Sequence, residues 1–558
     1  MRIGVRRRAS AAVLATVSVV GIPATAHATG ITEFPDNGSE QGGRGGAWIA
    51  RASDPLAAFY NPAGLAGQPT RLALQSNINF QSTCFTRYKA LNDLTSDPDL
   101  VKPGQYYPKV CSQDGAGIVP QLALTYRISD RIGLGIAPLM TPSGGASNIS
   151  FPSFVSTTNS SSGKTIYEPG PERYLLTSAT LVVVTPTIGI GVEVVDRLRL
   201  GVSFEWGIAS LSFTNSVAAT ANTAVTSYLT NSEVQATASV HNYFIPGLTA
   251  GAIYSPSDSF DIAAWYKWAA PIDGVGDITT TLGYYSPAVA EGKPASPGSQ
   301  TITSQANCGN AMAMGQNATL CGSGNNLHIT VAQPMEAKIG FRYHKLRSDV
   351  PYDEHVRDPM AQDVFDIEAD LTWANNSTFQ NLQVRLPGNS VGDGTIPING
   401  VAGAFGPPNA DVAHDFHDVY GIRLGGDVNV VPDALAIRGG AFFQSSALTA
   451  QDQNIDFPAS TNFGLALGGT YRIHLSKVKT NALELSLGYE HVFYMNESYT
   501  GTGGVEALAG TPCSGSNTET PNYTCSNNVT RYRSPWAVNL GTITNSINVL
   551  NVGLGYKF

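Results

Sequence analysis

Charge is scarce in this sequence, and so are runs of apolar residues long enough to cross a membrane as a helix. Only 13% of the 558 residues are charged, the formal net charge is −9, and glycine is abundant at 58 residues. Net acidity argues against nucleic-acid partners. Catalytic signatures are missing as well: there is no Gly-x-Ser-x-Gly, no His-Glu-x-x-His, no Walker loop and no dinucleotide fingerprint behind a strand. Gly43-Arg44-Gly45-Gly46 lacks the lysine of a phosphate loop and any strand before it. The expectation is a protein that is not an enzyme and holds no cofactor. The densest titratable cluster, His414-Asp415-Phe416-His417-Asp418, has histidines three apart and reads as a solvated polar patch rather than a metal site. Two classes remain: a large exported soluble β-protein, or a membrane barrel whose strands hide their apolarity in alternation.

Cysteine is sparse and never arranged as Cys-x-x-Cys, which removes the usual thiolate metal sites. The six cysteines fall as Cys84 with Cys111, Cys308 with Cys321, and Cys513 with Cys525, each pair close in sequence. In an oxidising, exported setting that spacing reads as three local disulfides. Export is itself written at the start of the chain. Arg2, Arg6, Arg7 and Arg8 precede an apolar run over residues 9–22 and then Ala26-His27-Ala28, the layout of a secretory signal peptide. The run is shorter than the roughly 20 residues a spanning helix needs. Residues 1–28 are therefore read as a signal peptide cleaved after Ala28.

What the chain has in quantity is period-two alternation. Leu550, Val552, Leu554, Tyr556 and Phe558 share one face of a strand whose other face carries Asn551, Gly553, Gly555 and Lys557. Lipid outside and a filled lumen inside ask for that division. The terminal Tyr556 and Phe558 resemble the signal read by the outer-membrane assembly machinery. Four hairpins repeat the design: 122–136 around Ser129-Asp130, 188–206 around Asp196-Arg197, 248–264 around Ser255-Pro256-Ser257-Asp258, and 422–437 around Pro432-Asp433. Adding 72–80, 339–343, 365–373, 463–473, 483–493 and the last strand predicts about fourteen strands, an even number that closes a barrel. Connections alternate between mostly short turns and long segments, as expected for periplasmic turns opposite outer loops, and the cysteines fall in the long ones. Serine- and asparagine-rich stretches such as 157–164 and 215–231 are left open between disorder and binding lids. Arg423, Asp427, Glu484, Glu490 and Lys557 alternate with lipid-facing positions and are expected to pair with one another or with whatever fills the bore.

Residues 29–70 do not alternate. They contain Gly42-Gly43-Arg44-Gly45-Gly46-Ala47-Trp48 and Phe59-Tyr60-Asn61-Pro62-Ala63-Gly64-Leu65. The sequence here resembles the FadL-type outer-membrane long-chain fatty-acid transporters, hydrophobic-compound importers that include aromatic-hydrocarbon importers, and Asn61-Pro62-Ala63-Gly64-Leu65 ahead of strand one is the most specific match. Glu368-Ala369-Asp370-Leu371-Thr372-Trp373 and Tyr420-Gly421-Ile422-Arg423-Leu424-Gly425-Gly426 resemble later parts of the same family, whereas the loops near 141–177 and 270–333 carry no family motif. The resemblance implies an all-β chain in three parts: signal peptide 1–28, an N-terminal plug over 29–70, and a transmembrane antiparallel barrel over 71–558 in the outer membrane of a Gram-negative bacterium. The plug motif comprises Gly43, Arg44, Gly46, Asn61, Pro62, Ala63, Gly64 and Leu65. Implied partners are hydrophobic small molecules (fatty acids or hydrocarbons), outer-membrane lipid and the barrel-assembly machinery. Implied function is passive uptake that releases ligand sideways through the wall, with an aqueous porin or a surface adhesin as the competing readings.

Overall fold

The computed structural model describes residues 37–558 except 92–100, 219–232, 283–299, 304–326, 386–395, 398–404, 476–480, 502–536 and shorter stretches at 114, 143–145, 159–162, 164, 354, 407–408 and 458. Residues 1–36 and Cys308, Cys321, Cys513 and Cys525 lie outside the described residues, as do most of 157–164 and 215–231.

Fourteen antiparallel strands close into a ring. They are β1 (Arg71–Arg87), β2 (Gly117–Ser129), β3 (Ile132–Leu139), β4 (Thr187–Val195), β5 (Leu198–Ala218), β6 (Glu233–Ser257) and β7 (Phe260–Ala269). The second half comprises β8 (Glu336–Leu346), β9 (Asp363–Ala374), β10 (Val419–Val431), β11 (Leu435–Gln444), β12 (Asn462–His474), β13 (Ala482–Tyr494) and β14 (Gly541–Lys557). The seam joins β1 to β14 from Arg71↔Lys557 to Arg87↔Gly541. Every alternating segment of the sequence falls within one of these strands.

The reason for closure is chemical. On β5, Leu200, Val202, Phe204 and Trp206 point out and are exposed, while Arg199, Ser203 and Glu205 point in and are buried. An apolar outer belt against lipid, on strands paired into a closed ring, is the arrangement hydrocarbon permits. This is the architecture of an outer-membrane, multi-pass β-barrel. No described helix is long and apolar enough to cross a membrane.

Two details differ from the sequence reading. Several strands run far beyond their apolar alternation: β5 has 21 residues and β6 has 25, their outer ends rich in Ser and Thr. Outside the bilayer a strand needs no apolar face, so alternation stops while the ladder continues. For the same reason Cys84 lies in the outer part of β1 rather than in a loop, and it is disulfide-bonded to Cys111 of a short strand, Val110–Cys111. Tyr556 lies on β14, its ring edge-on to that of Phe558 at 4.7 Å.

Candidate functional site

Residues 37–70 run inside the bore and are almost entirely buried. Asn61 organises the Asn-Pro-Ala-Gly-Leu motif: its Oδ1 accepts from Ala63 N at 3.2 Å and its Nδ2 donates to Ile49 O at 2.8 Å. Pro62 then starts a short 3-10 turn, Pro62–Leu65, where a missing N–H costs nothing. This turn lies flat against the wall because inward positions there are glycine. A methyl on Gly201 or Gly191 would run into the backbone of Pro62, and one on Gly133 into that of Leu65. At the opposite wall, Gly440 and Gly425 make the same allowance for the backbone of Arg44.

Arg44 is the electrostatic centre of this inner segment. Its guanidinium meets Asp366 at 2.7 Å, Asp427 at 2.6 Å and Glu368 at 3.3 Å, all buried. Arg51 pairs with Asp366 and, at 3.0 Å, with Glu40. Carboxylates of β9 also hold backbone: Asp370 Oδ2 accepts from Trp48 N at 3.0 Å and Glu368 Oε1 from Ala50 N at 2.6 Å. The sequence reading singled out Arg44 within a glycine patch and named Asp427 among the inward residues expected to pair with whatever fills the bore, but it missed Asp366 and Glu368 as partners. Their signal was present, because Asp366, Glu368 and Asp370 are acidic residues at period two on one strand. Of the polar inward residues it did name, Asp427 joins this cluster and Glu484 pairs with Arg472 at 2.8 Å. Arg423 and Glu490 are buried, and Lys557 binds Asp358.

Burial alone would raise the Glu40 carboxyl, yet Arg51, Arg438 and Arg44 together hold it below its ordinary range. Asp54 behaves oppositely: burial, reinforced by Glu40, pushes it up to about 7.

The connection over 347–362, on the side of the short turns, is long. It folds under the inner segment as a strap. Arg357 donates its backbone N–H to Gly67 O at 2.8 Å and its guanidinium Nη2 to Ala50 O and Arg51 O at 2.6 and 2.7 Å. His355 reaches Glu193 of β4 at 2.9 Å, and Asp358 reaches Arg472 of β12 at 2.7 Å. The mouth on this side is thus crossed twice, by the inner segment and by the strap.

The other half of the bore is apolar. Leu181, Leu211, Val240, Ile329, Phe379 and Phe416 belong to one buried cluster. The polar patch expected at 414–418 is partly drawn into it: His414 and Phe416 are buried, not solvated. Phe379 lies 4.8 Å from the His414 ring and 5.4 Å from Phe457, and His414 Nε2 meets Asp456 at 2.8 Å. Burial alone would lower the His414 pKa, but Asp456 outweighs it and holds it up. Loops that close over an apolar lumen carry their aromatics inward.

Between these halves the wall is interrupted. The β2–β3 ladder starts only at Leu122↔Leu139, so residues 117–121 pair with β1 but not with β3. The chain beyond β3 turns away: Met140 O accepts from Thr185 N at 2.7 Å, and Thr141 O accepts from Asn37 Nδ2 at 2.8 Å. The described start of the inner segment therefore sits at this interruption.

No family model and no curated protein matches the sequence. Solved structures do. A Pseudomonas aeruginosa FadL homologue superposes with a TM-score of 0.58 over 94% of this chain and 99% of that one, at 16% identity. The chain has the FadL-type fold. The Ralstonia pickettii toluene transporter TbuX (TM-score 0.51, 13% identity, 94% of this chain and 98% of that one) shares it, as does the Pseudomonas putida toluene transporter TodX (0.51, 14%, 94% and 99%). The chain spans nearly the full length of each of these neighbours.

Proposed function

We propose that this FadL-type barrel is a passive importer of hydrophobic small molecules across the outer membrane, with long-chain fatty acids as the foremost substrates. One observation carries the reading: the bore is apolar in its outer half and crossed by the inner segment and strap in its inner half. A water-insoluble molecule gains about 0.8 kcal/mol for each CH₂ it buries in such a chamber, and it has no reason to continue through an ion-paired, polar floor. The interruption beside residues 117–121 offers a sideways route into lipid. On this reading residues 29–70 are a plug, residues 1–28 direct export, and Tyr556 and Phe558 present aromatic rings to the assembly machinery. An aqueous porin would instead keep an open, charged lumen.

The aromatic group of Phe379, His414, Phe416 and Phe457 favours a second reading within the same class, uptake of aromatic hydrocarbons. Parallel uptake of labelled oleate and toluene by cells carrying the protein separates the two. Planar-bilayer conductance then tests the frame itself. The intact protein is expected to conduct ions poorly, and a variant lacking 30–64 to conduct strongly. Large steady conductance by the intact protein, with uptake indifferent to the deletion, would make the porin reading the better one.

A further inference from the structure

Inward positions of β1 between Arg71 and Arg87 carry no charge, yet few are apolar: Gln75, Asn77, Asn79, Gln81 and Thr83 follow one another at period two, all buried. Asn79 stands opposite Gly117 of β2 on one side and Val549 of β14 on the other, and Gln75 stands opposite Gln121. Gln121 is thus the last inward residue of the stretch that lacks a β3 neighbour. Its Nε2 donates to Val119 O at 2.7 Å and to Asn77 Oδ1 at 3.3 Å, while Asn77 Oδ1 also accepts from Gly38 N at 3.0 Å. Asn77 is therefore committed to the plug. Asn79 Oδ1 and Gln121 Oε1 are more than nine-tenths buried and have no protein partner. Beside Asn79 lies a small apolar cluster of Phe442, Val492, Ile547 and Val549.

We propose that Asn79 and Gln121 form a selectivity site at the sideways exit that takes the neutral O–H head of a hydrophobic molecule, while the adjoining apolar cluster takes its chain. The inference rests on the uptake reading above and specifies the head group. An unpartnered amide oxygen accepts, and a hydroxyl, with its single proton, donates to one of the two. A carboxylate offers only acceptors, and these inward positions supply no cation to offset its charge, so it is disfavoured. An alcohol fits as it is, and a fatty acid fits as its protonated –COOH form. Buried, unmade hydrogen bonds are what lets a polar site reject the analogue that lacks the group.

The test uses the full chain, purified in detergent, with labelled oleyl alcohol, 1-octadecene and oleate as probes. Wild type is expected to bind oleyl alcohol roughly fivefold to tenfold more tightly than 1-octadecene, the size of one hydrogen bond. It is expected to bind oleate better as pH falls. Asn79→Leu combined with Gln121→Leu should remove the preference by weakening the alcohol alone, and Asn79→Ser with Gln121 intact should keep most of it. A preference that survives the double variant, or equal weakening of alcohol and alkene, overturns the site. Binding of all three probes by wild type without preference overturns the site and leaves the importer standing. Binding of none overturns both.

Discussion

The two halves of the bore are built from the same strands and obey opposite rules. Near the turns, β5 sends Arg199, Ser203 and Glu205 inward; further along, the same face of the same strand sends Ala209 and Leu211. The charged half is fixed by partners at defined distances, so it tolerates no missing member. The apolar half is held by area and shape, which a hydrophobic guest can replace. A barrel can therefore keep one region immobile and leave the other exchangeable without a domain boundary, simply by changing residue type along each strand's inner face.

The strongest way to break that contrast is at Arg44. Replacing it with Met leaves Asp366, Glu368 and Asp427 buried without their common cation, and removing one partner of a buried pair costs about 3–5 kcal/mol. Arg44→Met is expected to loosen the inner segment and raise single-channel conductance severalfold. Unchanged conductance together with unchanged protease resistance of residues 37–70 would contradict it. The matching change in the apolar half is Phe379→Ala. Uptake of hydrophobic substrate is expected to fall about tenfold, equivalent to about 1.4 kcal/mol of lost contact, with ion conductance unaffected. A rise in conductance would mean that the two halves are not independent.

Smaller effects sharpen the comparison. Gly201→Ala places a methyl against Pro62 and should cost about 1–3 kcal/mol, as overpacking does. Thermal unfolding of the reconstituted protein, compared with Gly439→Ala on β11, where a methyl would meet nothing closer than 3.5 Å, reads that difference. The smallest effect is pH dependence. The raised Asp54 carboxyl contributes stability that is complete below its unfolded pKa near 4 and is lost as pH rises through about 7. Glu40 has the opposite sign, contributing above its unfolded pKa near 4 and losing that contribution as pH falls further. Protection of the inner segment from hydrogen exchange should therefore decline as pH rises from about 4 to about 7 and level off above that, and Asp54→Asn should flatten that decline. A variant that declines as steeply as wild type would assign the effect elsewhere.

Much of the frame was legible because lipid imposes a simple rule on sequence. Leu200, Val202, Phe204 and Trp206 announce their strand unaided, and the other thirteen strands are written the same way. Legibility ends where the rule ends. Nothing in the outer part of β1 marks Cys84 as a strand residue, since neither face there meets hydrocarbon. The inner segment was recognisable from Asn61 to Leu65, but its anchorage was not: Arg44 and Asp366 are separated by 322 residues, and only the closed ring brings them to 2.7 Å. His414 was misjudged for a related reason. Its neighbours in sequence, Asp415 and His417, suggest a surface, whereas the residues that bury it, Phe379 and Phe457, arrive from other loops.

The seam between β1 and β14 also dictates an order of events during biogenesis. It is the longest-range pairing of the ring, joining Arg71 to Lys557, so its closure must wait until the whole chain is present and pays its loop entropy last. The inner segment leads directly into β1, and once the ring has closed it is enclosed on all sides by wall. Arg44 can meet Asp366 and Asp427 together only once β9 and β10 stand side by side, so the ion pairs that fix the segment form with the sheet and not ahead of it.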